Sequence, residues 1–326
     1  MRAIRLLQPG TPLALVDLPD PTPGPGQAVV EVLACGICHS DLHAVAGDYP
    51  TTLPVTLGHE VAARHQRLGN VLVYAPWGCR QADCLPCSTG NEMICPRSSE
   101  AGLIADGGYA ERMLVIDERY LVPLGDLDPA QAAPLACGGL TAYRAVGHTL
   151  DTLRSVANPR ALVIGAGGLG QYAVQFLRIL TDAEVVVVDA AESKRAQALE
   201  LGASAAVAPG EVEGTFHAVL DFVGAEATLT TAAEHVARQG IVVLIGLYGG
   251  RIPFGLGLVP HEARFMTSIW GTLDQLGELI ALAQQHPLRT QVEVIGLDDV
   301  PVAHDRLARG DVSGRFVIDP QKGAGA

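Results

Sequence analysis

The feature that most constrains the fold is a glycine-rich loop between a strand pattern and a helix pattern. The segment Gly165-Ala166-Gly167-Gly168-Leu169-Gly170 fits G-x-G-x-x-G, follows the apolar run ALVIG and opens a helix-like stretch. Asp189 ends the next apolar run, 19 positions after the last glycine. In a βαβ unit, such a loop brings backbone N–H groups to a pyrophosphate, and the acidic residue accepts hydrogen bonds from ribose hydroxyls. The sequence therefore predicts a dinucleotide site formed by Gly165, Gly167, Gly168, Leu169, Gly170 and Asp189.

Asp189 also bears on the choice of cofactor. A carboxylate at this position would repel the 2′-phosphate of NADP at short range, so the sequence favours NAD. Lys194 and Arg195 follow shortly after and could offset that charge. No arginine directly follows the aspartate, and we interpret both as solvated helix residues.

Two regions with different patterns of predicted secondary structure indicate two domains. Before Asp128, short β-rich runs alternate with proline and glycine clusters. Later, apolar strand patterns at 161–165, 184–189, 218–222 and 241–246 alternate with helix patterns at 168–180, 193–201 and 228–238. Continuous apolar strands that alternate with helices predict a parallel sheet covered on both faces. A chain of 326 residues, with 48% hydrophobic residues, is long enough for two such cores.

Charge and hydropathy narrow the possible partners. The net charge of −13 disfavours nucleic acid and anionic membrane surfaces as ligands. No apolar run reaches the roughly 18 residues of a membrane helix, and the first ten residues do not fit a secretory signal. We therefore expect a cytoplasmic protein that acts on small molecules. In that compartment the seven cysteines are expected to serve as metal ligands or catalytic groups rather than disulfides.

Four cysteines lie close together in the pattern C-x4-C-x2-C-x7-C: Cys79, Cys84, Cys87 and Cys95. Thiolates at such spacing can surround one zinc ion tetrahedrally, and four protein ligands leave no open position for chemistry. The pattern predicts a structural zinc site. The alternative is four reduced cysteines without metal on a loop.

A second set of chemically active residues comes from separate segments. The run Cys35-Gly36-Ile37-Cys38-His39-Ser40-Asp41-Leu42-His43 is followed by His59-Glu60 and later by Cys137. A catalytic zinc requires three protein ligands and an open fourth position, which Cys38, His59 and Cys137 would provide. Spacing alone leaves open that these cysteines are core residues and that the histidine is structural.

In combination, these motifs resemble the zinc-dependent alcohol dehydrogenases of the medium-chain dehydrogenase/reductase superfamily. The resemblance covers essentially the whole chain and rests on CGICHSDLH, GHE, the four-cysteine segment and the glycine loop with its aspartate, in that order. It implies a GroES-like, β-rich catalytic domain at residues 1–138 and 271–326, with a structural zinc lobe at 79–95. It also implies a Rossmann NAD-binding domain at 139–270.

The implied activity is the reversible oxidation of a primary or secondary alcohol to an aldehyde or ketone, with hydride transfer to NAD. Two zinc ions per chain, one catalytic and one structural, and a homo-oligomer (dimer or tetramer) are further implications. The resemblance assigns Cys38, His59 and Cys137 as ligands of the catalytic zinc and places Glu60 behind the metal. Cys35 matches no ligand and is interpreted as a buried thiol.

The remaining implied roles concern protons and cofactor. Ser40 would take the substrate proton, which then passes through the nicotinamide ribose to His43. His39 and Arg315 would contact the pyrophosphate, and Thr141 would pack on the nicotinamide.

Two departures from the family pattern stand out: the segment after Glu60 is shortened, and Cys79 and Cys84 are separated by four residues instead of two. The longer spacing permits either a bulge or a weaker metal site. Two other functions remain open: a zinc-free quinone or enone reductase of the same superfamily, and a non-catalytic dinucleotide-binding protein.

Overall fold

The computed structural model describes residues 1–312 and 314–322. It divides into two compact units, one formed by Met1–Leu140 with Gly271–Ala326 and the other by Thr141–Trp270. The last residues of the predicted catalytic domain, 323–326, lie outside the described residues.

The regular elements are numbered in chain order. The strands are β1 (Arg2–Leu6), β2 (Ala14–Asp17), β3 (Ala28–Gly36), β4 (Val55–Thr56), β5 (Glu60–His65), β6 (Gly69–Val73), β7 (Arg112–Val115), β8 (Leu121–Pro123), β9 (Arg160–Ile164), β10 (Glu184–Val188), β11 (Ala205–Val207), β12 (Phe216–Asp221), β13 (Val236–Leu244), β14 (Arg264–Thr267), β15 (Val292–Ile295) and β16 (Arg315–Ile318). The helices are α1 (His39–Ala46), α2 (Leu85–Ser88), α3 (Pro129–Ala132), α4 (Gly138–Gly147), α5 (Leu150–Arg154), α6 (Gly170–Leu180), α7 (Glu192–Glu200), α8 (Glu226–His235), α9 (Leu273–Gln285) and α10 (Val300–Ala308). Short 3-10 turns occur at Glu92–Ile94, Glu118–Tyr120, Ala133–Ala136 and Leu297–Asp299.

The first unit is β-rich, as the sequence predicts. Its larger sheet has the order β15-β16-β3-β5-β6-β8, with β7 also paired to β3, and a smaller sheet has the order β2-β1-β4. The central strand β3 pairs antiparallel with β5, which places Gly36 opposite Glu60. The end of β3 and the start of β5 therefore meet, and this brings the residues that follow Gly36 close to His59.

The shortened segment after Glu60 forms a simple hairpin. Strands β5 and β6 pair antiparallel from Val61 opposite Val73 to His65 opposite Gly69, and residues 66–68 form the turn between them. The turn of this hairpin lies at the end of β5 that is far from His59.

The second unit contains a sheet of order β11-β10-β9-β12-β13-β14 in which every pairing is parallel. One face of its core includes Leu162, Val186, Val219 and Val242, each at most 6% exposed. Parallel neighbours require crossover connections, which the intervening helices supply. The predicted parallel α/β domain is confirmed.

One predicted element boundary in this unit is wrong. The helix pattern at 228–238 extends too far, because α8 ends at His235 and β13 begins at Val236. Val236 pairs with Phe216 of β12, and a β-branched side chain packs well on a sheet. Tertiary pairing thus outweighs the local helical pattern.

Candidate active site and metal centres

The glycine loop joins the end of β9 to the start of α6. Gly170 opens the helix, and a Cβ atom there would lie only 1.9 Å from the carbonyl oxygen of Gly165. Glycine at this position is therefore what lets the helix start so close to the strand. The free N–H groups and the positive dipole end of α6 make the loop suited to a pyrophosphate.

Asp189 lies directly beside this loop. Its Oδ2 accepts a hydrogen bond from the backbone N–H of Ala166 (2.8 Å), and its Oδ1 accepts one from Ala191 (2.8 Å). An ionised carboxylate has about four lone-pair sites, so these two bonds leave capacity for ribose hydroxyls. The loop and the acidic residue are thus brought together, as a dinucleotide site requires.

Arg195 corrects one interpretation from the sequence. It is not a fully solvated helix residue, because it is partly buried and its Nη1 donates to the carbonyl oxygens of Asp189 (2.8 Å) and Ala190 (2.9 Å). The guanidinium therefore lies next to the end of β10. The sequence signal for this contact is a long basic side chain placed shortly after the strand, from where it can reach back to the strand's end.

The four cysteines at 79–95 form a compact cluster. The Sγ atoms of Cys79 and Cys87 lie 3.7 Å apart, as do those of Cys84 and Cys95, and all four lie within 4.8 Å of one another. A tetrahedron with Zn–S bonds of about 2.3 Å has edges of about 3.8 Å. The donor set and its spacing fit one zinc ion.

The surroundings of the cluster also suit thiolates. Backbone N–H groups of Cys79 and Arg97 donate to the Sγ of Cys95 at 3.5 and 3.4 Å. Residues 81–83 of the C-x4-C spacing are exposed, and Arg80 adopts a left-handed conformation with φ 56°. The longer loop therefore bulges outward and leaves the sulfur cluster intact.

The second group consists of Cys38, His59, Glu60 and Cys137, whose candidate ligand atoms also lie within 4.8 Å of one another. Each residue is at most 8% exposed. Cys38 follows β3, His59 precedes β5, and Cys137 follows the 3-10 turn Ala133–Ala136. The antiparallel pairing of β3 and β5 thus brings distant parts of the chain to one buried point.

The electrostatics of this group favour a divalent cation. A hydrogen bond with Cys137 and the positive charge of His59 lower the pKa of Cys38, against the effect of burial, whereas the same hydrogen bond and burial raise the pKa of Cys137. A zinc ion would allow both sulfurs to ionise, and two thiolates with one imidazole are a donor set that zinc prefers.

Glu60 belongs to the same group of residues and forms a buried ion pair. Arg315 Nη2 donates to Glu60 Oε1, which also accepts the backbone N–H of Gly138 at 3.3 Å. Burial raises the pKa of Glu60 to about 7 in spite of the Arg315 charge. Arg315, which the resemblance assigns to the cofactor, is placed here against Glu60.

The other predicted residues are distributed around the start of α1. Ser40 Oγ lies 3.2 Å from His59 Nε2. The His43 side chain is 37% exposed, and its Nδ1 lies 2.9 Å from Asp48 Oδ2. His39 is exposed at the first position of α1.

Two further predicted residues are buried. Thr141 is 5% exposed on α4, at the start of the second unit. Cys35 lies outside the four-residue group, and burial raises the pKa of its thiol well above the usual range.

Asp41 is a site residue that the sequence analysis missed. It is fully buried; its Oδ1 lies 3.3 Å from His59 Nδ1, and its Oδ2 accepts the backbone N–H of Cys38 (2.8 Å). A carboxylate beside Nδ1 favours the tautomer with the proton on that nitrogen, which leaves the Nε2 lone pair for a metal. The signal was the Cys-x-x-Asp spacing, since an acidic N3 residue can bond back to the N-cap backbone.

Within the described residues, the structure contains no helix that combines the length and apolar character needed to cross a membrane.

Comparison with known proteins gives consistent matches. Residues 24–126 match the family described as the alcohol dehydrogenase GroES-like domain, and residues 168–285 match the family described as zinc-binding dehydrogenase. The chain is 33% identical to an NAD-dependent alcohol dehydrogenase of Sulfolobus acidocaldarius, over 98% of this chain and 99% of that protein. It is 30% identical to a D-arabinose 1-dehydrogenase (NADP(+)) of Saccharolobus solfataricus, over 95% of each. Among solved structures, it is similar to the alcohol dehydrogenase of Aeropyrum pernix, with a TM-score of 0.86 and 31% identity over 98% of this chain and 100% of that one.

Proposed function

The chain belongs to the zinc-binding alcohol dehydrogenases of the medium-chain dehydrogenase/reductase superfamily and is an NAD-dependent enzyme, and we propose that Cys38, His59 and Cys137 hold its catalytic zinc. The observation that supports this assignment most strongly is the buried convergence of two thiols and one imidazole from separate segments. The proposed substrate is a primary or secondary alcohol, which is oxidised reversibly to an aldehyde or ketone.

The residues around the proposed ligands have complementary tasks. Zinc, when bound, acts as a Lewis acid that lowers the pKa of an alcohol hydroxyl. Asp41 orients His59 through its Nδ1 side. Glu60, when ionised, adds negative charge near the proposed ligands, and Arg315 compensates that charge by its direct ion pair. Burial of the whole group strengthens each of these interactions because the local dielectric constant is low.

Ser40 and His43 support proton transfer. The Ser40 hydroxyl lies next to the His59 nitrogen that would face the metal, where it can accept the substrate proton. His43 is partly exposed and pairs with Asp48, so it can deliver a proton to solvent. We therefore assign the inner end of the relay to Ser40 and the outer end to His43.

The remaining assignments concern NAD and the fold. The loop residues Gly165, Gly167, Gly168, Leu169 and Gly170 would hold the pyrophosphate and Asp189 the adenosine ribose. His39, Thr141 and Arg315 are proposed as further cofactor contacts, and the four-cysteine cluster as a structural zinc site. By resemblance to the family, we also propose a cytoplasmic homo-oligomer.

Zinc stoichiometry combined with NADH formation on a panel of alcohols tests this function. Two zinc ions per chain and turnover are expected for the wild type, and Cys38→Ala should lose one zinc and turnover together. Cys35→Ala is the matched control, because Cys35 is a buried thiol three residues away that lies outside the metal-binding group. A zinc-free wild type that reduces quinones or enones would favour the alternative reductase. NAD binding without turnover on any substrate would favour a non-catalytic role.

A further inference from the structure

A chain of buried polar side chains extends from His59 away from the predicted metal position. Behind His59 lies Asp41, whose Oδ2 accepts a hydrogen bond from the Tyr109 hydroxyl at 2.8 Å. The same hydroxyl lies 3.3 Å from Nε2 of His304 on α10. Asp41 and Tyr109 are fully buried and His304 is 6% exposed. Four polar side chains from four separate segments are thus joined in the buried interior.

The proton positions along this chain follow from its chemistry. The Tyr109 hydroxyl has one proton, which it donates to Asp41 Oδ2. Burial and the Asp41 charge raise the pKa of Tyr109 well above its usual range, so the phenol keeps that proton. His304 Nε2 must therefore be the donor to the Tyr109 oxygen, which fixes the His304 tautomer. The result is a one-directional chain of donors that ends at Asp41.

The backbone of Tyr109 is held independently of its hydroxyl. Its N–H donates to the carbonyl oxygen of Leu57 (2.9 Å), and its own carbonyl accepts from Ile4 (2.8 Å). Its ring also packs against Gly58, where an added Cβ would lie 2.3 Å from the Tyr109 ring. Removal of the hydroxyl alone should therefore leave the ring in place and alter only the polar chain.

We propose that Tyr109 and His304 are positioning residues of the metal centre, which hold Asp41 in the orientation that directs Nε2 of His59 towards the zinc. This inference rests on the proposed function of Cys38, His59 and Cys137. Without the Tyr109 hydroxyl, Asp41 Oδ2 keeps only the Cys38 N–H as a donor. A buried carboxylate that has lost a donor rotates or binds its remaining partners differently, and either change alters the imidazole that it orients.

Zinc release to a chelating dye tests the proposal without relying on turnover. Loss of a residue that orients a metal ligand typically weakens metal binding by about 10- to 100-fold. Tyr109 acts one step further away, so Tyr109→Phe is expected to speed release from the catalytic site by about tenfold. Release from the four-cysteine site should be unchanged and serves as the reference within the same chain. Tyr74→Phe is the matched control, since Tyr74 is equally buried and its hydroxyl donates to Gly271, away from the chain of donors.

A second pair of variants separates positioning from packing. His304→Leu removes the donor to Tyr109, whereas His304→Gln retains a side-chain N–H in a similar place. Cobalt substituted at the catalytic site gives a visible spectrum that depends on ligand geometry. We expect His304→Leu and Tyr109→Phe to shift this spectrum in the same direction, and His304→Gln to restore most of the wild-type signal. A simple loss of stability would not produce that pattern.

The outcomes distinguish failure of this proposal from failure of the proposed function. If wild-type turnover requires Cys38 but Tyr109→Phe and His304→Leu leave both zinc release and the cobalt spectrum unchanged, the positioning role is wrong. If these two variants change both metal sites equally, their effect is one of general stability and the proposal is also wrong. If the wild type binds no metal at Cys38, the proposed function itself fails.

Discussion

The two cysteine-containing sites are assembled in opposite ways. The lobe at 79–95 takes all its ligands from one short segment, and Cys79 and Cys87 remain partly exposed. The proposed site of Cys38, His59 and Cys137 draws on segments spread from residue 38 to residue 137, and each proposed ligand is at most 8% exposed. One site is a local loop, and the other is a product of the whole β-rich unit.

This difference indicates which site depends on metal for its structure. The lobe has few large buried side chains, and Leu85 and Ile94 are 72% and 54% exposed. A segment with so little core needs a metal to fix its conformation. The proposed catalytic site is held by strand pairing, so we expect its geometry to form without metal and its metal to serve chemistry. The predictions below test that contrast.

The largest contrast is expected between Cys38→Ala and Cys79→Ala. Loss of a Lewis acid that supplies several kcal/mol should lower kcat/KM of Cys38→Ala by at least about 1000-fold. The Cys79→Ala enzyme should lose the lobe zinc and retain most turnover, measured as NADH formation at a temperature where both variants are folded. Equal losses in the two variants would contradict the division into a chemical and a structural site.

Proteolysis should affect the two sites in the reverse order, with a variant of the lobe changed more than a variant of the Cys38 site. Cys87→Ser removes a ligand from a lobe with little core, so cleavage within 79–95 is expected to accelerate by about 10- to 100-fold through local opening. The Cys38→Ala chain should be cut no faster there than the wild type. Mapping of cleavage sites by mass spectrometry measures both rates. Rapid cleavage outside the lobe in Cys87→Ser would show that the lobe zinc stabilises much more than its own segment.

The same contrast explains what could be predicted from the sequence. The glycine loop at 165–170 and the four cysteines at 79–95 carry their whole signal in a short stretch, because their partners are neighbours along the chain. The alternation of strands and helices likewise follows from local hydropathy, and it predicts the parallel sheet. The predicted helix at 228–238 is wrong at its C-terminal end, because non-local pairing with β12 determines the conformation of Val236.

The residues that the sequence analysis missed have distant partners. Asp41 and Tyr109 are 68 positions apart, and Tyr109 and His304 are 195 positions apart. A buried polar chain of this kind leaves no periodic pattern, because its members come from separate segments of the chain. The prediction that Cys38, His59 and Cys137 are zinc ligands rests on the family resemblance, because their spacing alone leaves structural roles open.

Glycine replacements beside each site should have intermediate effects. A Cβ at Gly36 would lie 2.0 Å from Glu60 Oε2, and one at Gly78 would lie 2.7 Å from Cys87 Sγ. Glu60 is fixed by Arg315 and by Gly138, so Gly36→Ala is expected to cost about 2 kcal/mol and to lower kcat. Gly78→Ala should instead release the lobe zinc while kcat is maintained. Thermal unfolding and zinc content, measured together, would contradict the contrast if both variants lost the same zinc.

The smallest effect concerns the ion pair that holds the bulged loop of the lobe. Arg80 Nη1 lies 2.5 Å from Asp117 Oδ2, and Asp117 also accepts the N–H of Arg119 at 3.0 Å. Partial burial raises the pKa of Asp117, but these two donors outweigh it and lower the pKa below its usual value. The stabilisation that ionised Asp117 contributes is therefore complete above the unfolded pKa of about 3.9 and is lost only as the pH falls through the lower folded value.

At pH 7, Asp117→Asn should destabilise the lobe by less than about 1 kcal/mol, and high salt should reduce the difference, because the pair is partly exposed. Amide hydrogen exchange in residues 79–95 at low and high salt measures the change in lobe stability. The control is Asp20→Asn, which removes an exposed carboxylate that pairs with Arg112 elsewhere. A difference that is large and insensitive to salt would mean that the lobe depends on this contact as much as on its metal.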